Sequence, residues 1–207
     1  MAGKRTGGQP DKRRAIIEGA LTLFARDGYT RAGLDAIAAR AGVSNRTIYN
    51  HFADKAELFH TVIQESSQRV ADAMTDAIER NLGKIVDLEE DLVGLGLAWL
   101  DILTSDLAVH FALVRQINAE ADHIPAKTLA AWREMGPGRV RRELADRLRR
   151  LADRDLLDLD DPARAAGHLM MLISAENLTD PATLRDRKEC TAMVTAGVRV
   201  FLHGYQR

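Results

Sequence analysis

The chain has 207 residues, 46 % of them apolar and 29 % charged, the composition of an ordinary soluble globular protein. Its longest apolar run, Leu169 to Ile173, is far shorter than the ~20 residues of a membrane span, and no apolar segment follows the basic N-terminus, so we expect no membrane partner and no signal peptide. The single cysteine, Cys190, cannot form an internal disulfide and favours a cytoplasmic location. The net charge is +5 over residues 1–55 and −6 over the remainder, so one end of the molecule is suited to a polyanion.

Helical periodicity runs through nearly the whole chain, and no segment shows the sustained alternation of a β-strand. Residues 1–10 are rich in Gly, Lys and Arg and are predicted to be disordered. The first helix has apolar residues at helical spacing between Ile16 and Phe24 and ends at Gly28. The second covers the apolar positions from Leu34 to Ala41 and ends at Gly42.

A third short helix and one long helix follow. The third begins at Ser44, a good N-cap, and buries Ile48 and Phe52. Asp54 then caps a helix with Glu57 at its third position, in the pattern of a capping box. This helix is predicted over residues 55–81, which makes it about 40 Å long.

The remaining residues predict a bundle of helices. They are expected at about 87–104, 106–121, 125–135, 138–153, 162–177 and 181–204, with a break at Gly136-Pro137-Gly138. The last two begin with Asp161-Pro162 and Asp180-Pro181, each an Asp N-cap followed by Pro at the first helical position. The predicted fold is therefore all-α: three short helices over residues 11–54, joined by the long helix to a helical bundle that completes residues 55–207.

Residues 34–52 match a helix-turn-helix, whose two helices are joined by a short turn that often contains glycine. Because Ile48 and Phe52 must face inward, the outward positions of the second helix are Asn45, Arg46, Tyr49 and Asn50. Arg46 suits guanine in the major groove, and either asparagine suits adenine. Phosphate contacts are predicted for Tyr49, His51, Lys55, Lys4, Arg5, Lys12, Arg13 and Arg14.

The stretch from Ile16 to Phe59, with LFARDGY, LDAIAARAGVSNRTIYNHF and DKAELF, resembles the N-terminal DNA-binding domain of TetR-family transcriptional regulators. The resemblance implies an all-α homodimer, usually a repressor, that binds a palindromic operator and is released by a small-molecule effector. It implies that residues 11–54 are the helix-turn-helix DNA-binding domain and that residues 55–207 are the ligand-binding and dimerisation domain. Carried over by position, it implies DNA contacts by Arg46, Thr47, Tyr49 and His51, with Lys55 at a phosphate. The later segments LVRQINAEADHIPAK, WREMGPGRVRREL and DDPARAAGHLMML resemble the AcrR- and AefR-type branch.

The start of the second helix departs from the family pattern. The family commonly has a Thr/Ser pair where this chain has Ala32-Gly33. The hydroxyl that would cap the helix and contact a phosphate is therefore missing, and Thr30 or Arg31 is the candidate replacement.

The final two predicted helices are the candidate dimer interface, because their small and apolar residues allow helices to approach closely. The interface residues are predicted to be Ala166, Gly167, Met170, Met193, Gly197, Val200 and Phe201, with Ala163, Met171, Ala196 and Gly204 beside them. The alternative is that these residues pack inside one subunit.

A small hydrophobic effector would need an apolar cavity with a few polar groups. Its predicted lining is Trp99, Leu103, Phe111, Trp132, Met135, Met171 and Asn177, with Glu176, His110 and His168 as further polar candidates. The alternative for each is ordinary core packing.

Other classes of protein find little support in the sequence. It has no G-x-S-x-G, no phosphate-binding glycine loop and no H-E-x-x-H, so an enzyme is not predicted. The six histidines are scattered and Cys190 has no partner at metal-ligand spacing, so no cofactor or metal is predicted. The competing interpretation is a DNA-binding or protein-interaction module with no small ligand.

Overall fold

The computed structural model describes residues 9–174 and 186–205, and these residues contain no β-strand. Ten α-helices lie in this described part: α1 Gln9–Arg31, α2 Leu34–Ala41, α3 Asn45–Tyr49, α4 Lys55–Leu82, α5 Leu88–Thr104, α6 Ala108–Ala119, α7 Ala126–Arg133, α8 Arg139–Ala152, α9 Pro162–Leu172 and α10 Arg187–Tyr205. The all-α prediction is confirmed. The Asp180-Pro181 cap and most of the predicted tail lie outside the described residues, although Gln9 and Pro10 already belong to α1.

The helices form two compact units, each built from two stretches of chain. Unit 1 contains the chain up to Arg69 together with Ala108–Met135, and unit 2 contains Val70–Leu107 together with Gly136–Arg207. Unit 1 therefore holds α1, α2, α3, the first half of α4, α6 and α7. Unit 2 holds the second half of α4 with α5, α8, α9 and α10.

The core of unit 1 joins the first three helices to α6 and α7. Its aromatic centre is Phe24, Tyr29 and Phe59, with the Phe59 ring 4.8 Å from that of Phe24 and 4.7 Å from that of Tyr29. The α6–α7 stretch contributes five buried side chains to the same cluster, Leu113, Ile117, Ile124, Leu129 and Trp132. At about 1.5–3 kcal/mol for each large apolar side chain removed from water, this stretch is a major part of the unit's core.

A buried polar pair lies in the same unit. The Oγ of Ser66 on α4 and the Nδ1 of His110 on α6 share a hydrogen bond of 2.7 Å, and both residues are buried. Burial, with a smaller contribution from the positive charge of Arg69, lowers the pKa of His110 to about 4. The imidazole is therefore neutral near pH 7.

In unit 2, α10 packs against both α5 and α9 at closely approaching glycines. A β-carbon on Gly197 would lie 2.9 Å from the carbonyl carbon of Leu172, too close for any residue larger than glycine without movement. The buried Arg147 of α8 donates to the Leu82 carbonyl at 3.3 Å and pairs with Glu79, so it holds the C-terminal end of α4.

Three predicted boundaries differ in the structure. The Gly136-Pro137-Gly138 segment belongs to a π-helical turn, Glu134–Gly138, instead of a break between helices. The helix that begins at Pro162 ends at Leu172, about five residues earlier than predicted. Gly28 interrupts α1 as expected, with φ 82° and ψ 174°, but helical residues continue beyond it to Arg31.

Candidate nucleic-acid interface

The turn between α2 and α3 has the geometry that its sequence predicts. Gly42 has the left-handed φ of 66° that ends α2, and the Val43 N–H donates back to the Ala38 carbonyl at 3.0 Å. Ser44 then caps α3, because its Oγ accepts a hydrogen bond from the Thr47 N–H at 3.2 Å. The predicted N-cap is confirmed, and α2 and α3 form a helix-turn-helix.

The buried side of α3 leaves one face open to solvent. Ile48 and Phe52 are 1 % and 3 % exposed, which confirms that they anchor the helix. Tyr49 is 57 % exposed, and Arg46 and Asn50 are exposed beside it. Thr47 and His51 are half-buried at the edge, where Thr47 Oγ1 lies 3.0 Å from Ser44 Oγ.

Asn45 differs from the prediction that it projects outward. It is half-buried, its amide nitrogen donates to the carboxylate of Asp35 on α2, and its Oδ1 is buried without a hydrogen-bond partner. A side chain turned onto the neighbouring helix is not presented to solvent, so Asn45 ties α3 to α2. Helical spacing alone predicts an outward side chain here, because spacing carries no information about a partner on the preceding helix.

The start of α4 is capped by Asp54 as expected, and the reciprocal bond of the capping-box pattern goes to the residue before the cap. The Glu57 N–H donates to Asp54 Oδ1 at 2.8 Å, and Glu57 Oε2 in turn accepts from the Ala53 N–H at 2.6 Å. Lys55 is half-buried: its Nζ donates to the Thr30 carbonyl at 3.0 Å and lies 5.0 Å from the centre of the Tyr29 ring. Burial lowers the pKa of Lys55, and the nearby Glu120 carboxylate raises it in part. The Lys55 ammonium therefore already has partners within unit 1.

The structure confirms that the start of α2 lacks a side-chain cap. Gly33 occupies the N-cap position and no side chain accepts from the first turn. Of the two candidate replacements, Thr30 gives both its N–H and its hydroxyl to Glu120, whereas Arg31 is exposed. Arg31 is thus the better placed for a phosphate.

Two of the basic residues near the start of α1 form ion pairs within the protein. Arg13 pairs with Glu65 at 2.9 Å and its guanidinium lies 5.6 Å from the centre of the Phe52 ring. Arg14 pairs with Glu18 at 3.0 Å, and Lys12 is exposed. Lys4 and Arg5 lie outside the described residues.

The predicted effector-binding residues are divided between the units. Phe111, Trp132 and Met135 belong to unit 1, and Trp99, Leu103 and Met171 to unit 2. Met135 lines a cleft of about 690 Å³ with residues of α1 and α4, whereas Trp99 and Trp132 are buried and Met171 is 60 % exposed. Among the polar candidates, His110 is paired with Ser66 and His168 with Tyr205, and Glu176 and Asn177 lie outside the described residues.

The predicted dimer residues also fall into two groups. Ala166, Gly197 and Phe201 are buried within unit 2, where they pack α9 and α10 together. Val200 and Met171 are each 60 % exposed, and Gly167, Met170 and Met193 are half-buried. An apolar surface therefore remains on both helices.

In the described ranges, no group of three His, Cys, Asp or Glu residues is arranged to hold a metal ion. No single helix there is long and apolar enough to cross a membrane, although α5 and α6 reach that length and composition when taken together.

Comparison with known proteins gives matches over most of the chain. The family model of bacterial regulatory proteins, tetR family, matches residues 16–62, and that of the AefR-like transcriptional repressor C-terminal domain matches residues 90–207. The chain is 32 % identical over 96 residues to the transcriptional activator FasR of Mycolicibacterium smegmatis, covering 46 % of this chain and 42 % of FasR. It is 35 % identical over 72 residues to the transcriptional repressor AcnR of Corynebacterium efficiens, covering 34 % and 38 %. The chain thus spans less than half the length of these curated relatives.

Solved structures extend the likeness to the whole fold. A TetR-family regulator from Mesorhizobium loti superposes with a TM-score of 0.80 at 28 % identity, covering 99 % of this chain and all of that one. The flavonoid-responsive regulator FrrA superposes with a TM-score of 0.70, also at 28 % identity, covering 95 % and 98 %. These proteins are regulators and not enzymes. The chain belongs to the TetR family of bacterial transcriptional regulators, with a C-terminal domain of the AefR-like type.

Proposed function

We propose that the protein is a ligand-responsive repressor that binds a palindromic operator as a homodimer and leaves it when a small hydrophobic effector binds. The observation that carries the DNA-binding part is the exposed face of α3. Arg46, Tyr49 and Asn50 are exposed to solvent on this face, whereas Ile48 and Phe52 are buried on the opposite side and hold the helix in place. Residues 11–54 would bind DNA, and residues 55–207 would bind the effector and dimerise. Repression is favoured by the AefR-like repressor match and by AcnR, whereas FasR is named an activator.

The base-reading role of Arg46 is tested by selecting bound sequences from random DNA and then measuring affinity by fluorescence anisotropy. A bidentate arginine–guanine contact is worth about 1–3 kcal/mol of discrimination, so Arg46→Ala should reduce the preference for the selected base by about 5- to 150-fold. Tyr49→Phe should weaken binding evenly across sequences, as expected of a phosphate contact. The control is Arg133→Ala, the same change at an exposed position of α7.

If Arg46→Ala lost the same affinity for every DNA sequence, Arg46 would bind phosphate and would read no base. Failure to select any preferred sequence with the wild type would remove the regulator proposal itself. Affinity should also fall steeply with salt, because each neutralised phosphate releases counterions. A reporter gene downstream of the selected site then decides between repression and activation.

The homodimer is supported by the apolar surface on α9 and α10. Exposed large apolar residues are uncommon among the described residues, and two of the four, Met171 and Val200, lie on these helices. Val200→Asp and Met171→Asp should each shift the protein towards monomer in sedimentation velocity, because a charge would be buried in a self-complementary interface. Val86→Asp, at a site that is 85 % exposed and precedes α5, is the matched control and should leave the association unchanged. A dimer that survives both substitutions would place the interface elsewhere.

Effector binding is tested through the two tryptophans, Trp99 in unit 2 and Trp132 in unit 1, both of which are buried. A compound set that begins with flavonoids, the class in the name of FrrA, should contain a ligand that raises the melting temperature, because a ligand bound only to the folded state stabilises it. The same ligand should change tryptophan fluorescence and release the operator. Trp99→Phe and Trp132→Phe then show which residue reports the ligand. Stabilisation without operator release would favour a constitutive DNA-binding protein.

A further inference from the structure

The 28–33 turn, which contains the last residues of α1 after its interruption at Gly28 and the link to α2, is weakly fixed by its own sequence. It has glycine at both ends, and Gly33 gives α2 no side-chain cap. Glycine leaves the unfolded backbone the greatest freedom, so holding such a turn in one conformation costs more entropy than usual. The turn leads directly into α2, which is tied to α3 through Asp35 and Asn45, and so its conformation affects where α3 lies.

Thr30, in the middle of this turn, is held by two side chains from distant parts of the chain. Its N–H donates to Glu120 Oε2 at 2.8 Å, and its Oγ1 donates to the same oxygen at 3.1 Å. Its carbonyl accepts from Lys55 Nζ at 3.0 Å. The N–H, the hydroxyl and the carbonyl of Thr30 are thus all fixed by charged side chains, which form stronger hydrogen bonds than neutral ones.

Glu120 is itself held in place just after α6. Its N–H donates to the Gln116 carbonyl at 2.9 Å, and α6 packs along α1 in unit 1. A β-carbon on Gly28 would collide with the Glu120 carboxylate and would lie 3.1 Å from Gln116 Oε1. The carboxylate therefore occupies space that a residue larger than glycine at position 28 would fill.

We propose that Glu120 is a positioning residue for DNA binding: it fixes the 28–33 turn, and through it α2 and α3, although it lies 68 residues beyond the end of the helix-turn-helix at Phe52. The inference rests on the proposed DNA-binding function and adds a residue to it. By charge alone, a carboxylate in a DNA-binding unit repels phosphates, so removing a bystander would leave binding unchanged or tighter. Removing a positioning residue instead weakens DNA binding. The two roles therefore predict changes of affinity in different directions.

The test measures operator affinity of the full-length protein by fluorescence anisotropy over a series of salt concentrations. Glu120→Ala removes both hydrogen bonds from Thr30 to the carboxylate and should weaken operator binding on the order of tenfold or more. The slope of log affinity against log salt should stay unchanged, because no phosphate contact is lost. The affinity of Glu120→Gln should lie between those of the wild type and Glu120→Ala, since the amide oxygen of Gln still accepts from Thr30. Asp122→Ala removes the same charge at an exposed position two residues on and should not weaken binding.

A second readout does not depend on DNA. Amide hydrogen exchange at Thr30 should accelerate in Glu120→Ala and stay closer to wild type in Glu120→Gln, with exchange in the α4 core unchanged. Faster exchange in a protein that selects no operator would retain the positioning role and remove the proposed function. Wild-type affinity and wild-type Thr30 exchange in Glu120→Ala would overturn the inference. If Glu120→Ala fails to fold, Thr30→Val, which keeps the N–H and replaces the hydroxyl by a methyl group, must still weaken binding while the salt slope stays that of the wild type.

Discussion

The burial of His110 makes the stability of the protein depend on pH. Burial lowers the pKa of His110 from 6.5 to about 4, so in this range the unfolded chain binds a proton that the folded protein does not. The stabilisation is complete above pH 6.5 and is lost as the pH falls towards 4. With each unit of pKa difference equal to 1.36 kcal/mol, the free energy of unfolding should drop by about 3 kcal/mol across this window.

The experiment is urea denaturation between pH 7 and pH 4.5 for the wild type, His110→Gln and the control His123→Gln, which changes an exposed histidine. His110→Gln should show a flatter pH dependence, because the titrating group is gone, whereas His123→Gln should follow the wild type. Because carboxylates also titrate towards pH 4, the contribution of His110 is taken from the difference in pH dependence between the wild type and His110→Gln. Identical curves for all three proteins would contradict the pKa assigned to His110.

At the scale of one helix, Arg147 is expected to stabilise the end of α4. It is 8 % exposed, donates to the Leu82 carbonyl at 3.3 Å and pairs with Glu79. Arg147→Met should keep the aliphatic packing and leave that carbonyl without its donor, at a cost of about 1–3 kcal/mol in the free energy of unfolding. Urea denaturation checks this against Arg149→Met, an exposed arginine of the same helix paired with Asp146 at 2.6 Å. A smaller loss at position 147 than at position 149 would contradict the role.

Helices and caps that depend on nearby residues were predictable from the sequence. Ser44, Asp54 and Asp161 each cap the helix expected of them, and Gly42 ends α2, because these signals lie within four residues of their partners. The contacts of Asn45, Arg147 and Glu120 were not predictable, because their partners lie 10, 68 and 90 residues away. Periodicity shows which face of a helix is buried and carries no information about what covers it.

At the scale of the whole molecule, we expect the N-terminal helices to be unstable alone, because the core of unit 1 also includes α6 and α7. Five buried side chains of its core come from residues 113–132, so a fragment of residues 1–69 would expose their partners to water. This fragment should melt without a cooperative transition in circular dichroism. The same fragment joined to residues 108–135 by a Gly/Ser linker in place of 70–107 should regain one. A sharp transition in the short fragment would show that the first helices fold independently.

The division of unit 1 between two stretches of chain has a consequence for engineering hybrid regulators. Grafting only the first 55 residues onto the body of another family member would bring α1 to α3 without the α6–α7 surface that they cover and without Glu120 beneath Thr30. A working graft should therefore carry residues 108–135 along with the N-terminal segment, or preserve the side chains of the new host that occupy those positions. If α3 reads the bases as proposed, exchanging α3 should transfer operator specificity, whereas transfer of the fold requires both pieces.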